Sequence, residues 1–243
     1  MSSTRFPTDE LEAVAYDFWR APEVAELDGW RLRFAHGLTG RANSVWPNGD
    51  GTLPLDEKID RAEAWYRARG LAPLFQLTEA ARPAGLEETL AARGYEARGV
   101  PVSVETAALD DVLVRTRGDA KVSPDLDDAW LELWAGSRGF ADFDAVRDLL
   151  KAGAAAFASI GREAVGRGVV SGSWLGITSM VTISSARRRG RARAIVHALA
   201  RWASAQGCTH AMLQVESTNE PARMLYASAG FVPHHEYHYR KLP

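Results

Sequence analysis

A lone cysteine, Cys208, is all the thiol chemistry this chain contains. No internal disulfide can form, and 243 residues bury enough surface to do without one. A reducing compartment is therefore expected. No apolar run approaches the ~20 residues that a membrane-spanning helix needs. The opening MSSTRFPTDELEAV lacks the apolar stretch of a secretory leader. Neither sign of charge dominates, with 29 basic and 31 acidic residues and a net charge of −2. Collagen-like, heptad and low-complexity patterns are missing as well. What remains is 46% apolar and 25% charged, the composition of a globular protein. The expectation is a cytoplasmic protein without a membrane partner, of one to two domains by length.

The near-zero net charge conceals an uneven distribution. Residues 187–243 hold nine basic and three acidic side chains, a net +6. The first 186 residues hold 20 basic and 28 acidic, a net −8. A basic C-terminal quarter on an acidic body points to a local anion site. A polyanion such as nucleic acid more often meets a domain that is basic overall.

Two segments of the chain resemble each other. AEAWYRARGLAPLFQLTE followed by EETLAARGY echoes LARWASAQGCTHAMLQVES followed by ARMLYASAGF. Trp65 precedes Gly70 by five residues, and Trp202 precedes Gly207 by five. Gly70 lies 24 residues before Gly94, and Gly207 lies 23 before Gly230. Each closing glycine is followed by an aromatic, Tyr95 or Phe231. The ordered set indicates two homologous halves. The stretch between them, near residues 106–125, is rich in Asp, Gly, Ser and Pro and reads as a linker.

Periodicity supplies the elements. Ala192, Ile195, Val196, Leu199, Trp202 and Ala203 form one apolar helical face, with Gly207 where a C-terminal cap belongs. AMLQV follows as a strand, Pro221–Ala229 as a helix ending at Gly230, and SGSWLGITSMVTIS precedes as a β-branched strand. In the first half Asp56–Arg69 and Leu86–Arg93 read as helices, PLFQLT as a strand, and WRLRFAHG and RANSVWP as hairpin-like strands. Each half is a mixed α/β domain.

Between the strand at Met180–Ile183 and the helix that follows runs SSARRRGRAR. A helix N-terminus presents unpaired amides and a partial positive charge. Gly190 permits close approach to the backbone, and Arg188, Arg189, Arg191 and Arg193 surround it. The turn suits a ligand with several phosphates, or is a solvated basic turn. It is neither a Walker A loop nor a dinucleotide fingerprint, since Gly-Lys-Ser/Thr and GxGxxG are both missing. No aromatic interleaves the arginines as a single-strand nucleic-acid site would require.

Arg187-x-x-Gly190-x-Ala192 resembles the Q/R-x-x-G-x-G/A signature of the GNAT superfamily of N-acetyltransferases. Asn219-Glu-Pro-Ala222, then Leu225-Tyr226, then Gly230-Phe231 continue the resemblance in order and spacing over about residues 125–240. The first half resembles the same fold with its motifs eroded: it lacks the signature, and Leu90 takes the place of Tyr226. The resemblance implies an α/β fold of mixed α+β layers, built as two tandem GNAT-like domains. Each would be a mixed, largely antiparallel sheet flanked by helices. Residues 1–108 would form the degenerate domain, 109–124 a linker, and 125–243 the catalytic, acetyl-CoA-binding domain. Acetyl-CoA would be the co-substrate. Its pyrophosphate would lie on the amides of Arg188, Arg189, Gly190, Arg191, Ala192 and Arg193. Its pantetheine arm would pair with Met180, Val181 and Thr182. Ser184 departs from the family, which often has Pro there.

Acyl transfer to an amine has three requirements. The thioester oxygen needs a donor as it becomes negative, which a strand amide at Met180–Thr182 can supply. The departing thiolate needs a proton, for which Tyr226 is the candidate, its alternative role being a packing aromatic. The amine must lose a proton, and Glu216 can take it or is a solvated charge at a strand end; Glu163 and Asp142 are the other possible bases. Asn219 can hold the pantetheine or cap the next helix. His234, His235 and His238 lack zinc-site spacing, so no metal is expected. HHEYHYR reads instead as a final strand with His235, Tyr237 and Tyr239 on one face. Cys208 reads as a buried structural thiol. Trp46, Trp130 and Trp134 are core residues or part of an acceptor pocket.

The expected function is transfer of an acetyl group from acetyl-CoA directly to a primary amine of a small molecule or peptide. The alternatives are a non-catalytic acyl-CoA-binding module, or transfer of a different acyl group. No nucleic-acid partner is expected. The fused halves would act as a monomeric pseudo-dimer or assemble as a homodimer.

Overall fold

Alternation of apolar residues at periods of about two and about 3.6 sets the element order in the computed structural model, which describes residues 6–243. Residues 1–5, where the leader reading and the first domain range begin, lie outside the described residues. In chain order the elements are α1 (Thr8–Phe18), β1 (Glu23–Leu27), β2 (Trp30–Phe34), β3 (Val45–Pro47), α2 (Leu55–Arg67), β4 (Leu74–Leu77), α3 (Leu86–Ala92) and β5 (Glu96–Ala108). There follow α4 (Leu109–Arg115), β6 (Lys121–Ser123), α5 (Asp128–Arg138), α6 (Phe143–Lys151), β7 (Ala155–Ile160), β8 (Ala164–Ser171) and β9 (Trp174–Thr182). The last are α7 (Arg191–Ser204), β10 (His210–Glu216), α8 (Glu220–Ser228) and β11 (Val232–Lys241). The helices and strands expected around Trp65 and Trp202 are present within a few residues. RANSVWP contributes only the short β3, after a 3-10 turn at Arg41–Asn43.

Two compact units result, and neither is a contiguous half of the chain. The first comprises residues 1–13, 21–102 and 235–243, the second 14–20 and 103–234. In the first unit the strand order is β1-β2-β3-β4-β11. Its pairs are antiparallel except β3 with β4, which run parallel. In the second the order is β5-β10-β9-β8-β7-β6, with β6 to β9 antiparallel and β9 parallel to β10. Both sheets are thus mixed and largely antiparallel. Each takes in the strand that follows the other half's Gly-aromatic pair. The segment 109–124, read as a linker, carries α4 and β6. Its aspartates Asp110 and Asp111 occupy the first turn of α4, where a helix favours negative charge, and Leu109 and Val112 are core residues.

The first unit's core holds Trp30, Val45, Ile59, Tyr66, Phe75, Leu90 and Tyr95. Beside it runs a buried polar chain. Arg33 donates to Ser44 O, Ser44 Oγ and Gln76 Oε1 at 3.1, 2.6 and 2.9 Å. Gln76 donates to Glu12, whose other oxygen lies 2.8 Å from His235 Nε2. On β11, His235 and Tyr237 are buried while Glu236 is exposed, as strand alternation requires.

The second unit's core centres on α7. Ile195, Val196, Leu199 and Ala203 are buried against β8 to β10. The Gly166-Arg167-Gly168 run of β8 permits the close approach: a Cβ at Gly166 would stand 2.5 Å from Ile195 Cγ2. Arg167 is fully buried and has no carboxylate partner among the described residues. It donates instead to the carbonyls of Leu150, Phe18 and Ala152 at 2.7, 2.8 and 2.6 Å. Burial pushes its guanidinium down to about 9. Trp130 and Trp134 are core residues of this unit, and Trp46 is buried in the first.

Candidate active site

The site begins where two strands part company. β9 and β10 pair in parallel from Trp174 with His210 to Ile177 with Leu213. β9 then continues to Thr182 and β10 to Glu216 with no further register between them among the described residues. β9 remains paired to β8 on both sides of an irregularity in this stretch, Thr178 with Arg167 before it and Val181 and Thr182 with Val165 and Ala164 after it. A slot thus opens beside Met180, Val181 and Thr182, whose backbone groups on that edge face no ladder partner. The register shifts between Val165 and Arg167, so Ser179 and Met180 both stand opposite Gly166 in a bulge. Ser179 adopts φ 54°, in the left-handed region.

Beyond β9 a 3-10 turn at Ser184–Ala186 leads into the arginines, with Ser184 taking an ordinary place in it. Arg188 and Gly190 have φ 59° and 74°. Gly190 is the N-cap of α7, no side chain caps the helix, and a Cβ at Gly190 would meet only open space. The first amides of α7, including those of Arg191, Ala192 and Arg193, have no intrahelical partner by the geometry of a helix start. The other seven α-helices among the described residues each carry an acidic residue in the first turn; α7 carries none, and opens with Arg191 and Arg193 instead. Cations at a helix N-terminus oppose the macrodipole and weaken the helix. An anion placed at such a helix start offsets that opposition. Arg187, Arg188 and Arg189 are exposed and have no ion-pair partner among the described residues. Arg191 pairs with Glu163 at 2.6 Å, and Arg193 donates to Ser228 Oγ at 2.7 Å.

α8 supplies the remaining side chains. Asn219 caps it, accepting from Ala222 N at 3.3 Å, so the capping role holds for its side-chain oxygen. Glu216 ends β10 and is exposed, and its carbonyl accepts from Asn219 N at 2.9 Å. Tyr226 is 7% exposed and sits in the same core cluster as Ile195, Leu199 and Val215. Its ring meets Phe231 edge-on at 6.0 Å. Burial pushes its phenol up to about 12, with the charge of Glu105 adding to the effect. Tyr226 is therefore a neutral O–H donor across the physiological range. Of the other bases considered, Glu163 is held by Arg191, and Asp142 caps α6 by accepting from Ala145 N at 2.9 Å.

Sequence reasoning missed Glu105. It lies on β5, 2% exposed, with Arg223 Nε of α8 at 3.7 Å. Burial raises its carboxyl, opposed by Arg223 and Ser103. The only signal available was alternation: Ser103, Glu105 and Ala107 share one strand face, and Ala107 is in the core cluster. Among the described residues no group of three or more His, Cys, Asp or Glu is placed to hold a metal. None of their helices is long and apolar enough to cross a membrane. His235 and His238 are instead engaged by Glu12 and Glu87.

Residues 8–240 match the family model described as probable histone acetyltransferase Rv0428c C-terminal. The chain is 27% identical over 243 residues to the uncharacterized N-acetyltransferase YobR of Bacillus subtilis (strain 168), covering 95% of this chain and 97% of that one. It is 29% identical over 250 residues to the probable histone acetyltransferase Rv0428c of Mycobacterium tuberculosis (strain ATCC 25618 / H37Rv), covering 96% and 72%. Among solved structures, a GCN5-related N-acetyltransferase from Kribbella flavida superposes with a TM-score of 0.64 at 15% identity, covering 99% of this chain and 97% of that one. A tandem GNAT protein from the clavulanic acid biosynthesis pathway superposes at 0.57 and 11% identity, covering 76% and 68%. The fold is that of the GNAT proteins, and the chain belongs to the Rv0428c C-terminal family of N-acetyltransferases.

Proposed function

We propose that the donor is acetyl-CoA and that the acetyl group passes directly to a primary amine, with no acyl-enzyme intermediate. The observation that carries this reading is the slot between β9 and β10 opening beside an α7 N-terminus that is basic and uncapped. The turn amides and Arg188, Arg189, Arg191 and Arg193 would take the pyrophosphate. Met180, Val181 and Thr182 would pair with the pantetheine arm and aim an amide at the thioester oxygen. Tyr226 would give its proton to the departing thiolate, and Glu216 or a water would accept the proton of the amine. Cys208 is buried and its thiol pushed up by burial, which speaks against a cysteine nucleophile.

The acidic body of the chain, net −8 over residues 1–186, favours a cationic acceptor. One relative is described as a probable histone acetyltransferase. Lysine side chains of peptides are therefore the first acceptors to test, followed by small amines, aminoglycosides and amino acids. Release of free thiol from acetyl-CoA, followed with each acceptor, tests the reading. Calorimetric binding of acetyl-CoA without thiol release, across lysine peptides and small amines alike, would favour a binding module instead.

A further inference from the structure

The Ser179 hydroxyl is the one feature of the slot that the roles above leave without a task. The residue is half-buried, but its Oγ is shielded from solvent and makes no hydrogen bond among the described residues. A buried hydroxyl left unpaired is disfavoured, because it has lost water and gained nothing. Its backbone, at φ 54°, is also in a region where glycine would be unstrained. Glycine would remove both penalties, yet the chain carries serine. Ser179 lies just past Ile177, the last residue of β9 in register with β10. The bulge that contains it also disturbs the pairing with β8 opposite Gly166. A shielded donor without a partner, on a residue where β9 parts from β10, is matched by a ligand acceptor.

We propose that Ser179 Oγ–H donates to the carbonyl oxygen of the bound acyl thioester, making Ser179 a catalytic residue. This rests on the reading of the slot as the acetyl-CoA site. As the amine nitrogen attacks the carbonyl carbon, a C–N bond forms and the C=O pair moves onto oxygen. The oxygen becomes negative, and the hydroxyl's hydrogen bond strengthens there. The pair then returns, the C–S bond breaks, and the thiolate leaves with the Tyr226 proton. The proton lost by the nitrogen goes to Glu216 or water, and Tyr226 recovers its own from solvent. The balance is amine plus thioester to amide plus thiol.

The test uses the full chain, acetyl-CoA and a lysine peptide that supports thiol release. Ser179→Ala should lower turnover by about 10²-fold, the effect of losing one donor to a developing oxyanion. Its affinity for CoA, read by calorimetry, should stay within twofold. Its ligand-free melting temperature should rise by about 2–4 °C, because an orphaned polar group has gone. Ser179→Gly, which also relieves the backbone, should lose turnover to the same degree. Turnover within twofold of the parent would overturn the assignment. So would a loss in Ser179→Ala that Ser179→Gly restores, which would locate the effect in the backbone. A fall in CoA affinity equal to the fall in kcat/KM would place the hydroxyl on the pantetheine arm and overturn it too. A parent chain that fails to bind acetyl-CoA would sink the donor reading and this inference together.

Discussion

Replacing Tyr226 by phenylalanine removes one oxygen and nothing else. The ring keeps its edge contact with Phe231 at 6.0 Å and its place in the α7 core cluster, so packing should survive. With the phenol pushed up to about 12, almost every Tyr226 is protonated at pH 7.5, and the proton is available when the C–S bond breaks. A lost general acid costs about 10²–10⁴ in rate. A thiol is a good leaving group, with a reference ionisation near 8.5, which sets the expectation at the low end. Turnover should therefore fall about 10²-fold, a barrier increase of about 2.7 kcal/mol. KM for acetyl-CoA should move much less, because the interaction matures only as the sulfur acquires charge. Steady-state kinetics of both proteins on one confirmed acceptor, with thermal melts to show equal folding, measure this. Turnover within twofold of the parent would refute the assignment and leave solvent as the proton source.

The cofactor cradle can be tested at Gly190, where a Cβ meets open space. Gly190→Glu should weaken CoA binding at least about tenfold, roughly 1.4 kcal/mol, by calorimetry. Gly190→Ala serves as the control for backbone strain, and equal affinity in all three would place the phosphates elsewhere. In the core, a Cβ at Gly176 would lie 2.2 Å from Phe18 Cγ. Gly176→Ala should lose about 1–3 kcal/mol in a denaturant melt, and Gly176→Ala with Phe18→Leu should recover part of it; an unchanged midpoint would contradict the packing. Glu105 provides a pH test. Its folded carboxyl is raised, so the stability it contributes is present below its unfolded value and is lost as pH rises through the folded value. Glu105→Gln removes that dependence, and its melting temperature relative to the parent should climb from pH 4 to pH 8; a flat difference would mean that burial does not control this carboxyl.

The parts of the site that the sequence disclosed are those whose chemistry is local. The glycine at a helix start, the arginines beside it, the apolar face of α7 and the Asn219 cap each follow from neighbours a few residues away. Spacing also exposed the repeat, because Trp65 and Trp202 precede their glycines by the same interval. Buried polar groups followed a different logic. Arg33, Glu105 and Arg167 look like surface charges in sequence, and only their distant partners make burial tolerable. The tail histidines illustrate the same limit: Glu12 and Glu87, their partners, are more than 150 residues away in one direction. Aspartates at 110 and 111 misled in the opposite sense, since the residues that favour a linker also favour a helix's first turn. The bulge at Ser179 left no sequence mark because serine is ordinary in a strand and its strain arises from register.

The strand exchange bears on how the protein is made. A ribosome delivers the chain in order, at about 5–20 residues per second. By the time residue 102 has emerged, β1 to β4 exist but their neighbour β11 does not, since His235–Pro243 follow much later. The edge of β4 must wait, its amides and carbonyls unsatisfied, while some 130 further residues are synthesised. The second unit has its β5 in hand from the outset and can consolidate first. An N-terminal fragment ending near residue 124 would therefore carry an open sheet edge and be prone to aggregate, and the first unit is complete only when β11 arrives.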